Sequence, residues 1–290
     1  MVHFYEVRNR DGLAIADPID WPKFLSDLAT LSPDRRLRRI YNIDHWGQVY
    51  PHNERDHFIL ARAREEGISS FNRQNGEIID HESDTANPYV EISVASFLPN
   101  SNIFGFVLGS QASSRVGNFE AWLNEYKALN ESVSIVPVLN KNVLQRIENA
   151  DEVRLLRVGF DRDQLSSISE QNSLRGVLQE IEAEHGALDV ELVLRVKGRV
   201  NKDHTESRVS LLRTLRSMIG SAFTKGQADL VNFDAEGKPN TEHIDLVNSF
   251  LARKMDVSVR DEEGNPVRIQ SAIAAIERAA EELRDELSEG

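Results

Sequence analysis

Residues 189–203 read DVELVLRVKGRVNKD. Val190, Leu192, Leu194, Val196, Gly198 and Val200 occupy the even positions, whereas Arg195, Lys197, Arg199 and Asn201 occupy odd ones. Alternation with a period of two is the pattern of a strand with one buried face and one wet face. This stretch is therefore committed to a sheet, and its wet face is cationic. The chain around it is acidic: 34 basic residues stand against 47 acidic ones, a formal net charge of −13. That balance argues against a protein whose whole surface coats nucleic acid, yet it leaves room for one local basic channel.

The rest of the chain supplies more strands, each broken from the next by single helices. Val2 to Val7 alternates like a strand, and DWPKFLSDLATL reads as a short helix with Pro22 in its first turn. RDHFILARAREEG is expected to be a strand, and NFEAWLNEYKALN a helix with Asn118 as its N-cap. VSIVPVL and EVRLLRVGF read as strands, and SLRGVLQEIEAEHG as a helix ending at Gly186. ESRVSLLRTLRSMIGSAF is an amphipathic helix, and the tail IQSAIAAIERAAEELRDEL is helical by propensity. Regular βαβα alternation is missing. The fold class this predicts is α+β, with mixed, largely antiparallel sheets, a few amphipathic helices and two lobes, residues 1–160 and 161–290.

No residue is a cysteine, so disulfides, thiolate metal sites and cysteine nucleophiles are excluded. The N-terminal residues lack the apolar run of a signal peptide, no stretch approaches membrane-spanning length, and a cytoplasmic protein is expected. DHWGQVYPHNERDH holds His45, His52 and His57 beside Asp44, Glu54 and Asp56. Imidazoles with carboxylates can bind a divalent metal and activate water, so a metal-dependent nuclease is one alternative function. Their spacing matches no established ligand pattern, and a solvated loop is the expected reading. The Ser- and Gly-rich LGSQASSRVGNF could cradle a phosphate with its amides, but it lacks the P-loop lysine, and a loop capping a helix is expected. DAEGKP and DEEGNP are too short for a calcium cage and read as hairpin turns. No catalytic constellation and no cofactor site is expected.

The basic strand remains. Alternate side chains stand roughly 6.6 Å apart, so its cations can follow a phosphate backbone. The next helix adds Arg208, Arg213 and Arg216, with Lys202 and Lys225 near its ends. The plain alternatives are an edge strand whose Lys and Arg block aggregation, or a face docking an acidic partner as a protein-interaction adaptor. Arg35, Arg36, Arg38 and Arg39 form a second basic run whose role rests on charge alone.

Taken in order, FGFVLGSQASSRVGNFEAWLN, SIVPVLNKNVLQRIENADEVRLLRVGF and VELVLRVKGRVNKD resemble the RexA family, the cytosolic components of λ-type phage exclusion systems. DAEGKPNTEH is similar to that family's late acidic turn before a Thr-Glu-His. The resemblance implies a non-enzymatic homodimer, similar in fold to the ring-forming recombination-associated protein RdgC, that clamps double-stranded DNA without strong sequence specificity. It further implies a role in prophage-encoded abortive infection, sensing phage DNA intermediates and acting with a RexB-like membrane protein. By position, it assigns DNA contacts to Arg195, Lys197 and Arg199, with Lys202 just beyond. Asp203 and Glu206 depart from the family's basic continuation and would confine contacts to the strand.

Overall fold

The computed structural model describes all residues except 11, 65–67, 72–73, 75, 82–87, 128, 130, 161–175, 177–179, 181–183, 185–188, 198–203, 220–222, 224 and 288–290. The architecture is α+β with antiparallel sheets, as the interrupted run of strands predicts. Two compact units are present, each assembled from three stretches of chain: residues 1–2, 18–130 and 253–282 in one, and 3–17, 131–252 and 283–290 in the other. A single cut after residue 160 therefore does not separate them, because the strand ending at Phe160 belongs with residues that follow it. The expected helix over residues 173–186 lies largely outside the described residues.

The first unit contains helix α1 (Trp21–Ala29), the helical turn α2 (Pro33–Arg36), and strands β2 (Leu37–Ile40), β3 (Ile43–His52) and β4 (Arg55–Ala63). Strands β5 (Ile68–Phe71) and β6 (Ile78–His81) form a separate hairpin. Strands β7 (Val90–Phe97) and β8 (Ile103–Leu108), helix α3 (Val116–Tyr126) and helix α6 (Arg268–Glu282) complete the unit. Within it, strands run β8-β7-β4-β3-β2, antiparallel throughout. The Asp20 carboxylate accepts the Lys23 amide at 3.0 Å and starts α1 one residue before Trp21. Two-residue turns close the β2–β3 and β3–β4 hairpins, at Tyr41-Asn42 (φ 49° and 65°) and Asn53-Glu54 (φ 49° and 61°). Paired left-handed residues give the twist a tight hairpin needs.

Helix α3 begins at Val116, with Arg115 in the cap position, so Asn118 lies inside the first turn and is not the N-cap. The helix buries Phe119, Trp122 and Leu123 against the sheet, with Phe58 4.8 Å from Phe119 and 5.0 Å from Trp122. Gly47 of β3 leaves room for that ring: a Cβ there would sit 2.2 Å from Trp122 Cζ2. Helix α6 packs an alanine-rich face, Ala272, Ile273, Ala275, Ile276 and Ala279, near β7 and β8.

The second unit holds β1 (Val2–Asn9) paired with β9 (Val133–Pro137), then α4 (Lys141–Asn149), β10 (Glu152–Phe160) and β11 (Val190–Arg195). It continues with α5 (Thr205–Ser217), β12 (Lys225–Phe233), β13 (Pro239–Asp245) and α7 (Arg284–Leu287). The four-stranded sheet has the order β11-β10-β12-β13 and is antiparallel. Its inner face carries Val153, Leu156, Val158, Phe160, Ala228, Leu230 and Ile244, which pack against Leu211, Leu212, Leu215 and Met218 of and beside α5. The apolar face of β11, Val190, Leu192, Leu194 and Val196, joins the same core. Asp234 accepts the amides of Glu236 and Lys238 in the β12–β13 turn, and Asp261 accepts those of Glu263 and Asn265. Both acidic sequences are therefore Asx-type turns.

Candidate nucleic-acid interface

The outer face of the four-stranded sheet is the wet face of β11. There Glu191, Val193, Arg195 and Lys197 are exposed in sequence along one side. Arg195 pairs in register with Leu155, which pairs with Asp229, which pairs with His243. The ladder two residues along runs Val193, Arg157, Gln227 and Asp245. Glu191 is the organising anion: its carboxylate holds Lys225 at 2.7 Å and Arg157 at 3.5 Å. Asp229 binds His243 Nδ1 at 2.9 Å. The face is therefore not uniformly basic. It is neutralised at the Glu191 end and cationic at the Arg195 end.

A further cation sharpens that end. The pairing of β10 with β12 shifts register between Val153 and Leu155, so Arg154 is an extra, bulged residue. It is exposed, and its carbonyl accepts the Val196 amide at 3.0 Å, which sets it abreast of Arg195 and Lys197. Arg154, Arg195 and Lys197 form no ion pair among the described residues. The sequence signal was available in VRLLR, where two adjacent leucines break the alternation that a regular strand would keep.

The other expected DNA contacts do not join this group. Arg199 and Lys202 lie outside the described residues. Arg208 is a correction: its side chain is 1% exposed and its guanidinium donates to the Glu152 carboxylate, itself 4% exposed. A helical position facing the sheet placed it in the core, and the carboxylate at the start of β10 made that burial tolerable. Arg216 is exposed, but one of its amino groups donates to the carbonyls of Glu148 at 2.6 Å, Ile147 at 3.2 Å and Ala150 at 3.3 Å. It thus caps the end of α4, where orphan carbonyls and the negative end of the helix dipole attract a cation. Arg213 is exposed on α5, on the opposite side of the sheet from Arg195. Sheet and helix together separate the two, so one flat surface cannot use both.

The histidines are likewise dispersed. His45 stands opposite Arg62 and His57 opposite Tyr50 in the β3–β4 register, five residues apart along the strand, or about 17 Å. An odd interval also sends the two rings to opposite faces of the sheet. The expected solvated loop is therefore a hairpin within the first unit's sheet, and His45 and His57 are 1% and 0% exposed. His45 donates from Nδ1 to the Ile43 carbonyl at 2.9 Å. His57 donates from Nε2 to the His52 carbonyl at 3.3 Å and accepts the Ser96 hydroxyl at Nδ1, 2.9 Å away. Desolvation by burial pulls the pKa of both rings below the ordinary histidine value. Among the described residues, no group of three or more His, Asp or Glu side chains converges on a point that could hold a metal ion.

The Ser-rich loop before α3 carries no free anion cradle either. Ser110 donates its hydroxyl to Glu91 at 2.5 Å, and its amide is spent on Ser113 Oγ at 2.8 Å. A carboxylate already occupies the place an anion would need. Among the described residues, no helix is long and apolar enough to cross a membrane. No protein-family model matches the chain, and no curated protein matches it.

Proposed function

We propose that the Arg154–Arg195–Lys197 corner of the outer sheet face binds the phosphate backbone of double-stranded DNA without sequence preference. The observation that carries this reading is three exposed cations, with no ion pair among the described residues, on one corner of a sheet in a chain of net charge −13. Cations on an open strand face, with no element among the described residues shaped to enter a groove, neutralise phosphates in preference to base edges, which makes affinity salt-dependent and specificity weak. The resemblance to phage exclusion proteins supports the wider setting: a homodimeric clamp that senses phage DNA intermediates and acts with a RexB-like membrane protein. A two-fold axis would double the corner to six cations. The nuclease alternative would need His45, His52 and His57 to converge, whereas His45 and His57 are buried on opposite faces of the sheet.

The test is fluorescence anisotropy of a labelled duplex of arbitrary sequence across a salt series. Six neutralised phosphates give a slope of log K against log salt of about −5, since each contributes about −0.9. Reversing Arg154, Arg195 and Lys197 to Glu together should abolish binding in a protein with an unchanged circular dichroism spectrum. Wild-type protein that leaves the duplex free at low salt would overturn the proposal in favour of an adaptor that docks an acidic protein.

A further inference from the structure

The second basic run, Arg35 to Arg39, is divided by the fold into two jobs. Arg36 is structural: its guanidinium donates to the Leu31 carbonyl, with the Nε bond at 2.8 Å, to the Ala29 carbonyl at 3.3 Å and to Gln48 at 2.9 Å, closing the end of α1. Arg39 bonds the Asn42 carbonyl and lies 3.9 Å from Asp44 at the hairpin turn. Arg35 and Arg38 face elsewhere. They line an open cavity of about 480 Å³ together with Lys127, Phe24, Leu31 and Tyr126. This volume lies within the range of small-molecule sites.

The cavity's charge is unbalanced. Arg35 and Lys127 are exposed and form no ion pair among the described residues. Arg38 donates to the backbone carbonyls of Arg35 and Leu37 and forms no ion pair among the described residues. The one carboxylate in the wall, Asp27, is taken by Lys23 at 2.5 Å. The Tyr126 hydroxyl is a neutral phenol at neutral pH, and burial pushes its pKa further up, so it puts no negative charge in the wall.

The cavity is also ordered. The Arg38 guanidinium carbon lies 5.0 Å from the Tyr126 ring centroid, and Tyr126 in turn stacks on Trp122, rings 4.9 Å apart and 9° from parallel. The column Trp122–Tyr126–Arg38 thus holds a planar cation in the cavity wall, and a guanidinium plane can stack on a flat ring. Lys127 has φ 54° and ψ 44°, left-handed backbone at the end of α3 where glycine is the favoured residue. A lysine there brings an ammonium to the cavity at a conformational cost.

We propose that this cavity binds a free nucleotide: its phosphates between Arg35 and Lys127, and its base against Arg38 and the apolar wall of Phe24 and Leu31. The cations of the lining suit a multiply charged phosphate group, and its apolar side chains suit a flat ring. A bare polyphosphate would use only the cations.

The probe is ATP, titrated into the full chain at low salt and followed by calorimetry and by tryptophan fluorescence, since Trp122 stacks directly on Tyr126 in the cavity wall. ATP should bind, adenosine and tripolyphosphate each at least tenfold more weakly, and Arg35→Glu and Lys127→Glu should each weaken ATP at least tenfold. Lys127→Gly should weaken ATP while raising the thermal midpoint, a pairing that a purely structural lysine would not produce. The proposal is overturned if folded wild-type protein does not bind ATP, if the charge reversals bind it unchanged, or if tripolyphosphate binds as tightly. Binding of a single-stranded oligonucleotide without ATP binding would also overturn it. Reversal of Arg154, Arg195 and Lys197 in the other unit leaves ATP binding intact, so this result is independent of the duplex-binding test.

Discussion

Replacing Arg208 with Met separates its two readings, as a strut in the core or as a contact for DNA. Its side chain and that of Glu152 are 1% and 4% exposed, and they join α5 to the first residue of β10. Met preserves most of the apolar stem, so what the change removes is the positive charge and its hydrogen bonds. Glu152 is then left with a desolvated carboxylate and no counterion, a situation that costs about 3–5 kcal/mol. At a urea slope of about 2 kcal/mol/M, the midpoint should fall by roughly 1.5–2.5 M. Circular dichroism is the right readout, because all three tryptophans, Trp21, Trp46 and Trp122, belong to the first unit. Adding Glu152→Leu removes the stranded charge as well, and the double variant should recover most of the loss, giving a coupling of about 2 kcal/mol or more. A single variant that loses less than about 1 kcal/mol (below the range for a broken buried pair) would refute the argument. Lost duplex binding at an unchanged urea midpoint would refute it too, and would return Arg208 to the surface.

Two shorter predictions concern the first unit. His45 and His57 have folded-state pKa values lowered by burial, so below pH 6.5 the unfolded chain takes up protons that the folded chain refuses. Stability present above pH 6.5 should therefore fall as pH drops from there toward the lowered folded values, by up to about 1.4 kcal/mol per pH unit for each ring; urea midpoints of wild type and His57→Gln between pH 7 and 5 check it, the variant being expected to lose less. Gly47→Ala forces a methyl to within 2.2 Å of a fully buried ring whose Nε1 donates to the Arg36 carbonyl at 3.1 Å. A loss of about 3 kcal/mol is expected, visible as a lower urea midpoint in tryptophan fluorescence.

What could be read from the sequence depended on whether local pattern or distant pairing fixed each element. Helix α1 and strand β11 were legible, since a capping aspartate with an early proline, or a strict alternation, states its own geometry. Helix α4 was not, because NKNVLQRIEN buries only Val143 and Ile147, too few apolar positions for periodicity to stand out. Strand β4 was legible but the turn joining it to β3 was not, for a related reason: that turn is Asn53-Glu54, and a glutamate at φ 61° carries none of the usual glycine signal. The hairpin's histidines then looked solvated, although one lies under α3's face of the sheet and the other on the reverse. The interleaving of the two units has no local signature at all, since it depends on contacts between residues hundreds of positions apart.

Cations were the least legible of all, and the reason is general. A lysine or arginine in sequence announces a charge but not its partner, and the partner decides whether that charge is available. Arg208 is consumed by a carboxylate more than fifty residues upstream, Arg216 by the carbonyls ending α4, and Arg36 by those ending α1. Lys225 and Arg157 are both held by Glu191. Of the cations that form no ion pair among the described residues, two sets of three stand together: Arg154, Arg195 and Lys197 in one unit, and Arg35, Arg38 and Lys127 in the other. The first lies on an exposed strand face, which the regular spacing of a polymer's phosphates would suit. The second surrounds an open concavity lined in part by Phe24 and Leu31, the place proposed for a nucleotide. On the two proposals, charge reversal at either place should leave binding at the other unchanged.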